Sequence, residues 1–164
     1  LLYLASTLYH YVPITSSAKR TMQKFDHAMI FILIAGTYTP ITFLMTNRGW
    51  GWALFGTIWG LAALGILMKA AGFGMNTWYS ALPYIGMGWL ITVAFGQLSL
   101  VLPKIALEWI IAGGLFYTVG AGFFGLDFYF RRTRWFGMHE IWHLFVLAGS
   151  ACHFWVMYRY VIPL

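Results

Sequence analysis

Five stretches of this chain, at about 26–45, 50–69, 78–101, 106–130 and 139–163, are continuously apolar for about 20 residues or more. A helix of that length crosses the hydrocarbon layer of a bilayer. Lipid offers no partner to an open backbone group, so a spanning segment must be a helix or part of a closed barrel. The stretches lack the every-other-residue alternation of a membrane barrel. The predicted fold is therefore all-α, a polytopic transmembrane helix bundle in one domain covering residues 1–164. A sixth apolar stretch, 1–11, is too short to cross and reads as the end of a helix begun upstream. The chain opens at Leu1 inside that run, without an initiator Met, as a fragment lacking its upstream part would.

Composition supports the same class. Hydrophobic residues make up 61% and charged residues 9%, with a mean hydropathy of +0.74. So few charges cannot coat a soluble globule. The net charge of +6 does not signal nucleic-acid binding, because the Lys and Arg residues sit in clusters between apolar runs and form no stripe. Cys152 is the single cysteine, so no internal disulfide exists, and its apolar surroundings predict a buried small hydrophobe.

Short connections force successive spans to alternate in direction. Loops at 12–25, 70–77 and 131–138 then share one side with seven basic residues: Lys19, Arg20, Lys24, Lys69, Arg131, Arg132 and Arg134. The other side carries three: Arg48, Lys104 and Arg159. The richer side is expected to be cytoplasmic and the C-terminus extracytoplasmic, in a multi-pass inner or plasma membrane protein. Trp50, Trp52, Trp78, Trp109 and Trp135 fall at span ends, as interfacial indoles do. Pro40 and Pro83 predict kinks. Gly56 and Gly60 form a small-xxx-small pair that would let helices approach.

Ionisable groups inside spans are costly and point to function. His10 ends the first apolar run, Asp26 and His27 open the second, and His139, Glu140 and His143 open the last. Topology brings all three to one membrane face. His139 and His143 are four residues apart and share a helix face at about 5–6 Å, a separation that suits two imidazoles on one metal. Ser6 and His10 have the same spacing. Three histidines and a water form a zinc site with one open position, which is the catalytic arrangement. Asp26 could hold or deprotonate that water, and Ser6 could assist an oxyanion. Asp26 has a plainer reading as a helix N-terminal carboxylate stabilised by the dipole. His153 lies about 21 Å along the helix from His139, so it is left out of the site.

The string HEIWH at 139–143 fits the H-E-x-x-H pattern of zinc proteases. That pattern needs a third ligand downstream, and His153 is at the wrong depth. Glu140 is therefore read as incidental, with His10 as the third ligand.

The runs STLYH (6–10), KFDHAMIFILIAGTYTP (24–40) and HEIWHLFVLAGSACHF (139–154) resemble the hemolysin III family, within the wider progestin and adiponectin receptor-like group. The resemblance implies a seven-helix fold of which this chain holds helices two to seven. It also implies a zinc ion near the cytoplasmic face on His10, His139 and His143, with Asp26 holding a zinc-bound water and Ser6 lining the site. Related alkaline ceramidases hydrolyse a lipid amide. The leading expectation is a zinc-dependent hydrolase of a membrane lipid amide or ester, with membrane lipids as substrate and a role in lipid homeostasis. The alternatives are a non-enzymatic sensor with structural zinc closed by Asp26, and a pore-forming hemolysin.

Overall fold

The computed structural model describes residues 2–11, 13, 18–74, 78–127 and 137–162; the side chains of His10, Trp78 and His139 lie outside what is described. The regular structure of the described residues is all helical, with no strand among them. They comprise α1 (Leu2–Tyr11), α2 (Ala18–Leu44), α3 (Arg48–Ala70), α4 (Leu82–Trp89), α5 (Phe95–Leu98), α6 (Lys104–Leu126) and α7 (Met138–Val156). A 3₁₀ turn, Trp78–Ala81, leads into α4, another, Leu90–Ala94, joins α4 to α5, and a π turn, Met157–Val161, extends α7. Five segments are long and apolar enough to cross a membrane: Ala18–Leu44, Arg48–Ala70, Tyr79–Leu98, Lys104–Leu126 and Glu140–Val161. The molecule is an all-α polytopic bundle.

Three local expectations need correction. The second span starts at Ala18 and not near residue 26, so Lys19, Arg20 and Lys24 are helical. Long basic side chains permit this, since they keep their stems on the helix and carry their charge to the interface. Pro83 does not kink a span: it sits in the first turn of α4, where its missing N–H costs no hydrogen bond. The span 79–98 is not one helix but α4, a 3₁₀ segment and α5 in series. Pro40, by contrast, lies inside an α2 that runs on to Leu44. The Thr37 and Thr39 hydroxyls back-bond to the Leu33 and Ala35 carbonyls beside it, at 2.8 and 3.0 Å.

Two seams hold the bundle, and each sets glycine against bulk. Along the α6–α7 seam, a Cβ on Gly113 would lie 2.7 Å from His153 Nε2, one on Gly149 2.9 Å from Tyr117 Cε1, and one on Gly120 2.7 Å from Phe145 Cβ. Along the α2–α3 seam, a Cβ on Gly65 would lie 2.2 Å from the Phe31 ring, and one on Gly51 2.5 Å from the Thr42 carbonyl oxygen. Without a shared hydrophobic drive in lipid, such close van der Waals contact is what holds membrane helices together. The expected pair Gly56 and Gly60 does not take part, since nothing lies within 4 Å of a Cβ at either position.

The core runs through α2, α3, α4, α6 and α7 and centres on fully buried Phe31, Ile41, Met45, Ile58, Leu98, Ile110 and Val156. Cys152 is buried and unbridged. Trp50, Trp52 and Trp109 stay exposed at helix ends, while Trp135 lies outside the described residues.

Candidate functional site

A small satellite cluster sets the site's geometry. Leu2 and Ala5 of α1 pack on Met29 of α2, with Ile30, Ile32 and Leu33 around them. Ser6 follows Ala5 on α1, and Asp26 lies one turn before Met29 on α2. This docking sets the Ser6 hydroxyl beside the Asp26 carboxylate. Tyr3, further along α1, donates to Ser150 Oγ of α7 at 2.7 Å, and Tyr117 of α6 meets the same oxygen at 2.9 Å. Ser150 thus ties three helices together.

These residues enclose a cavity of about 160 Å³ lined by α1, α2, α4, α6 and α7. Ser6, Asp26, His27, Tyr84, His143 and His153 all stand on its wall, which is otherwise mainly aliphatic and aromatic. At the His143 level, Trp142 packs on Phe124 with ring centres 5.7 Å apart. The close approach at Gly120 lets α7 come near enough to seat these rings.

Of the five expected site residues, Ser6, Asp26 and His143 meet at this one cavity, from α1, α2 and α7. The imidazoles of His10 and His139 lie outside the described residues. Their backbones are in the last turn of α1 and the first turn of α7. Among the described residues, no three His, Cys, Asp or Glu side chains form a metal-holding group, and that census omits both imidazoles. Asp26 stands two turns inside α2, which has no acidic residue in its first turn. The helix dipole does not account for it there, because that effect fades beyond the first turn.

Glu140 has a definite structural task. Its carboxylate accepts the Gly137 N–H at 2.8 Å, three residues back at the start of α7. This is the glutamate half of a capping box, and it accounts for the acid inside HEIWH.

Other wall residues were not picked out as site residues from sequence. His153, left out on depth, stacks on Tyr117 (5.6 Å, 12°) and faces the same cavity, because the cavity runs along α7 and is not confined to its start. Its Nδ1 is buried without a hydrogen-bond partner among the described residues. Tyr84, 8% exposed, donates to the His27 carbonyl at 3.2 Å. Lys69, next to the wall residue Ser80, is 4% exposed. No periodicity in the sequence signals these contacts, because they depend on which helices become neighbours.

The profile of the family described as Haemolysin-III related matches residues 1–154. Hemolysin-3 of Bacillus cereus is 40% identical over 166 residues, covering 99% of this chain and 71% of the relative. A hemolysin-3 homolog of Bacillus subtilis (strain 168) is 35% identical, covering 99% and 73%. The human monocyte to macrophage differentiation factor is 26% identical, covering 98% and 66%. No solved structure matches the chain significantly. With five membrane-crossing segments and a profile match over nearly its whole length, the chain is a multi-pass membrane protein that belongs to the haemolysin-III-related family.

Proposed function

We propose that the protein is a zinc-dependent hydrolase of a membrane lipid amide or ester. The observation that carries this reading is the pairing of Ser6 beside Asp26 on the wall of an apolar cavity that His143 shares. The donor types suit such a metal. His143 faces the cavity, and His10 and His139 stand in terminal helical turns of the same two helices that supply Ser6 and His143. A zinc ion held by these three histidines would supply Lewis acidity and lower the pKa of a water to about 7.

The chain's own residues do the rest. The aliphatic wall accepts an acyl chain and excludes bulk water, which strengthens every polar contact inside. Asp26 takes the proton of the attacking water as its oxygen bonds to the acyl carbon. Ser6 donates its hydroxyl hydrogen to the oxygen that gains negative charge. As the C–N or C–O bond breaks, the proton on Asp26 passes to the leaving nitrogen or oxygen. The products are a fatty acid and an amine or alcohol. The asymmetry of basic residues supports a cytoplasmic location for this end of the bundle.

The test is fatty-acid release by purified, zinc-loaded protein on ceramides, phospholipids and simple acyl esters. Asp26→Ala should abolish release while zinc content stays at the wild-type level, and His143→Ala should lose both. Zinc-loaded wild-type protein that leaves the whole panel intact would overturn the reading. The name of the Bacillus relatives invites a pore reading, but the cavity wall is mostly apolar and offers no aqueous lumen to support it.

A further inference from the structure

Lys69 poses the sharpest unanswered question in the molecule. It ends α3, is 4% exposed, and is the one buried charged residue among the described residues. Its surroundings are built, not incidental. The helix closes in a Schellman turn, with Gly72 N–H bonded to the Lys69 carbonyl at 3.0 Å and Phe73 N–H to the Met68 carbonyl at 2.9 Å. Gly72 and Gly74 take positive φ values of 89° and 61° to make it. That turn brings the Gly74 carbonyl to Lys69 Nζ at 3.1 Å. Ser80 Oγ accepts from the same ammonium at 2.9 Å, and the Tyr84 ring lies 5.8 Å away.

Two features of this cluster are incomplete. The ammonium has no carboxylate in ion-pair reach among the described residues, where Lys104–Glu108 is the one pair. A buried charge with only neutral partners is costly. Ser80, itself 2% exposed and on the cavity wall, accepts from Lys69, yet its own hydroxyl hydrogen goes to no described residue. A hydroxyl polarised by an ammonium and left without an acceptor is a strong donor. Both features call for an anionic oxygen at the cavity's Ser80 edge. The depth identifies the kind. Lys69 is in the last turn of one span and Ser80 at the start of the next, where a bilayer places its headgroup phosphates.

We infer that Ser80 and Lys69 form a subsite for the phosphate of a membrane lipid whose chains enter the cavity. This rests on the reading that the cavity holds a lipid, but not on hydrolysis. The experiment therefore uses Asp26→Ala protein, so that no turnover consumes the probe, delipidated in detergent. It is titrated with short-chain phosphatidic acid, the diacylglycerol of equal chain length, and the corresponding fatty acid.

Phosphatidic acid should bind at least about tenfold more tightly than diacylglycerol, the scale of a hydrogen bond to a charged group. Adding Lys69→Met should erase the difference, Ser80→Ala should reduce it, and Lys69→Arg should retain much of it. Size-exclusion profile and Tm report folding. If Lys69→Met does not fold, Ser80→Ala and Lys69→Arg decide the matter. Equal binding of the two lipids, or a preference unchanged by Ser80→Ala, overturns the subsite. A Lys69-dependent preference for the fatty acid over phosphatidic acid overturns the phosphate assignment in favour of a carboxylate. Diacylglycerol that binds without a phosphate preference leaves the lipid cavity standing and removes the subsite, whereas failure of all three probes removes both.

Discussion

The segments Arg48–Ala70 and Tyr79–Leu98 are both long and apolar enough to cross a membrane, yet they do opposite things. The first is one unbroken α-helix, α3, and the second is broken by a 3₁₀ segment between α4 and α5. Glycine content would suggest the reverse. The unbroken helix carries Gly49, Gly51, Gly56, Gly60 and Gly65, and the broken one carries Gly86, Gly88 and Gly96. The difference lies in who claims the backbone carbonyls. The Tyr38 hydroxyl, reaching over from α2, is shared between the Met87 and Gly88 carbonyls at 2.7 and 2.8 Å. Thr92 back-bonds to the Trp89 carbonyl at 2.7 Å. Hydroxyls that compete for carbonyls loosen a helix locally. Just past them comes Ile91-Thr92-Val93, a β-branched run whose restricted χ1 slightly lowers helix propensity. The scaffold helix thus uses Gly51 and Gly65 for contact, while the broken one becomes cavity wall, with Gly88, Trp89 and Ile91 facing inward.

The most forceful way to break this contrast is at the scaffold. Gly65→Ala puts a methyl group into the Phe31 ring, which is 1% exposed and cannot retreat. A loss of about 3 kcal/mol is expected, at the upper end for overpacking, read as a lowered Tm in detergent or as aggregation. Unchanged stability would mean that the α2–α3 seam is looser than described. Next comes Tyr38→Phe, which removes the hydroxyl but leaves the ring. It should cost about 1–2 kcal/mol and speed amide exchange across residues 87–94 more than in α3. Uniform exchange in both spans would end the comparison. The smallest effect is expected at Gly56→Ala, where a methyl group meets open space. Stability should hold or rise by up to about 1 kcal/mol from helix propensity. A large loss there would show that Gly56 packs against another molecule in the membrane.

The same contrast shows what could be read ahead of the coordinates. Span number and helical class follow from continuous apolar length, because the bilayer leaves few options. Alternation of direction gives Ser6, Asp26 and His143 a common depth, but that they line one cavity depends on lateral packing, which topology does not fix. The burial of Lys69 is not legible in the local sequence, because it depends on a glycine turn folding back over it. The break after Trp89 was missed because its cause, Tyr38, lies on another helix. His153 lines the same cavity as His143 although it lies farther along the helix, because the cavity runs along α7. In each case the missing information was a neighbour, and a linear pattern does not name neighbours.

The Gly137–Glu140 bond has a consequence for anyone mining genomes with short signatures. When H-E-x-x-H falls in the opening turn of a helix, its acid occupies the third helical position, where any glutamate finds the amide left open at the cap. The protease-like string then arises from the demands of starting a helix beside a pair of histidines. Catalogues built on the string alone will file membrane chains of this kind with peptidases, and asking where the helix begins separates the two.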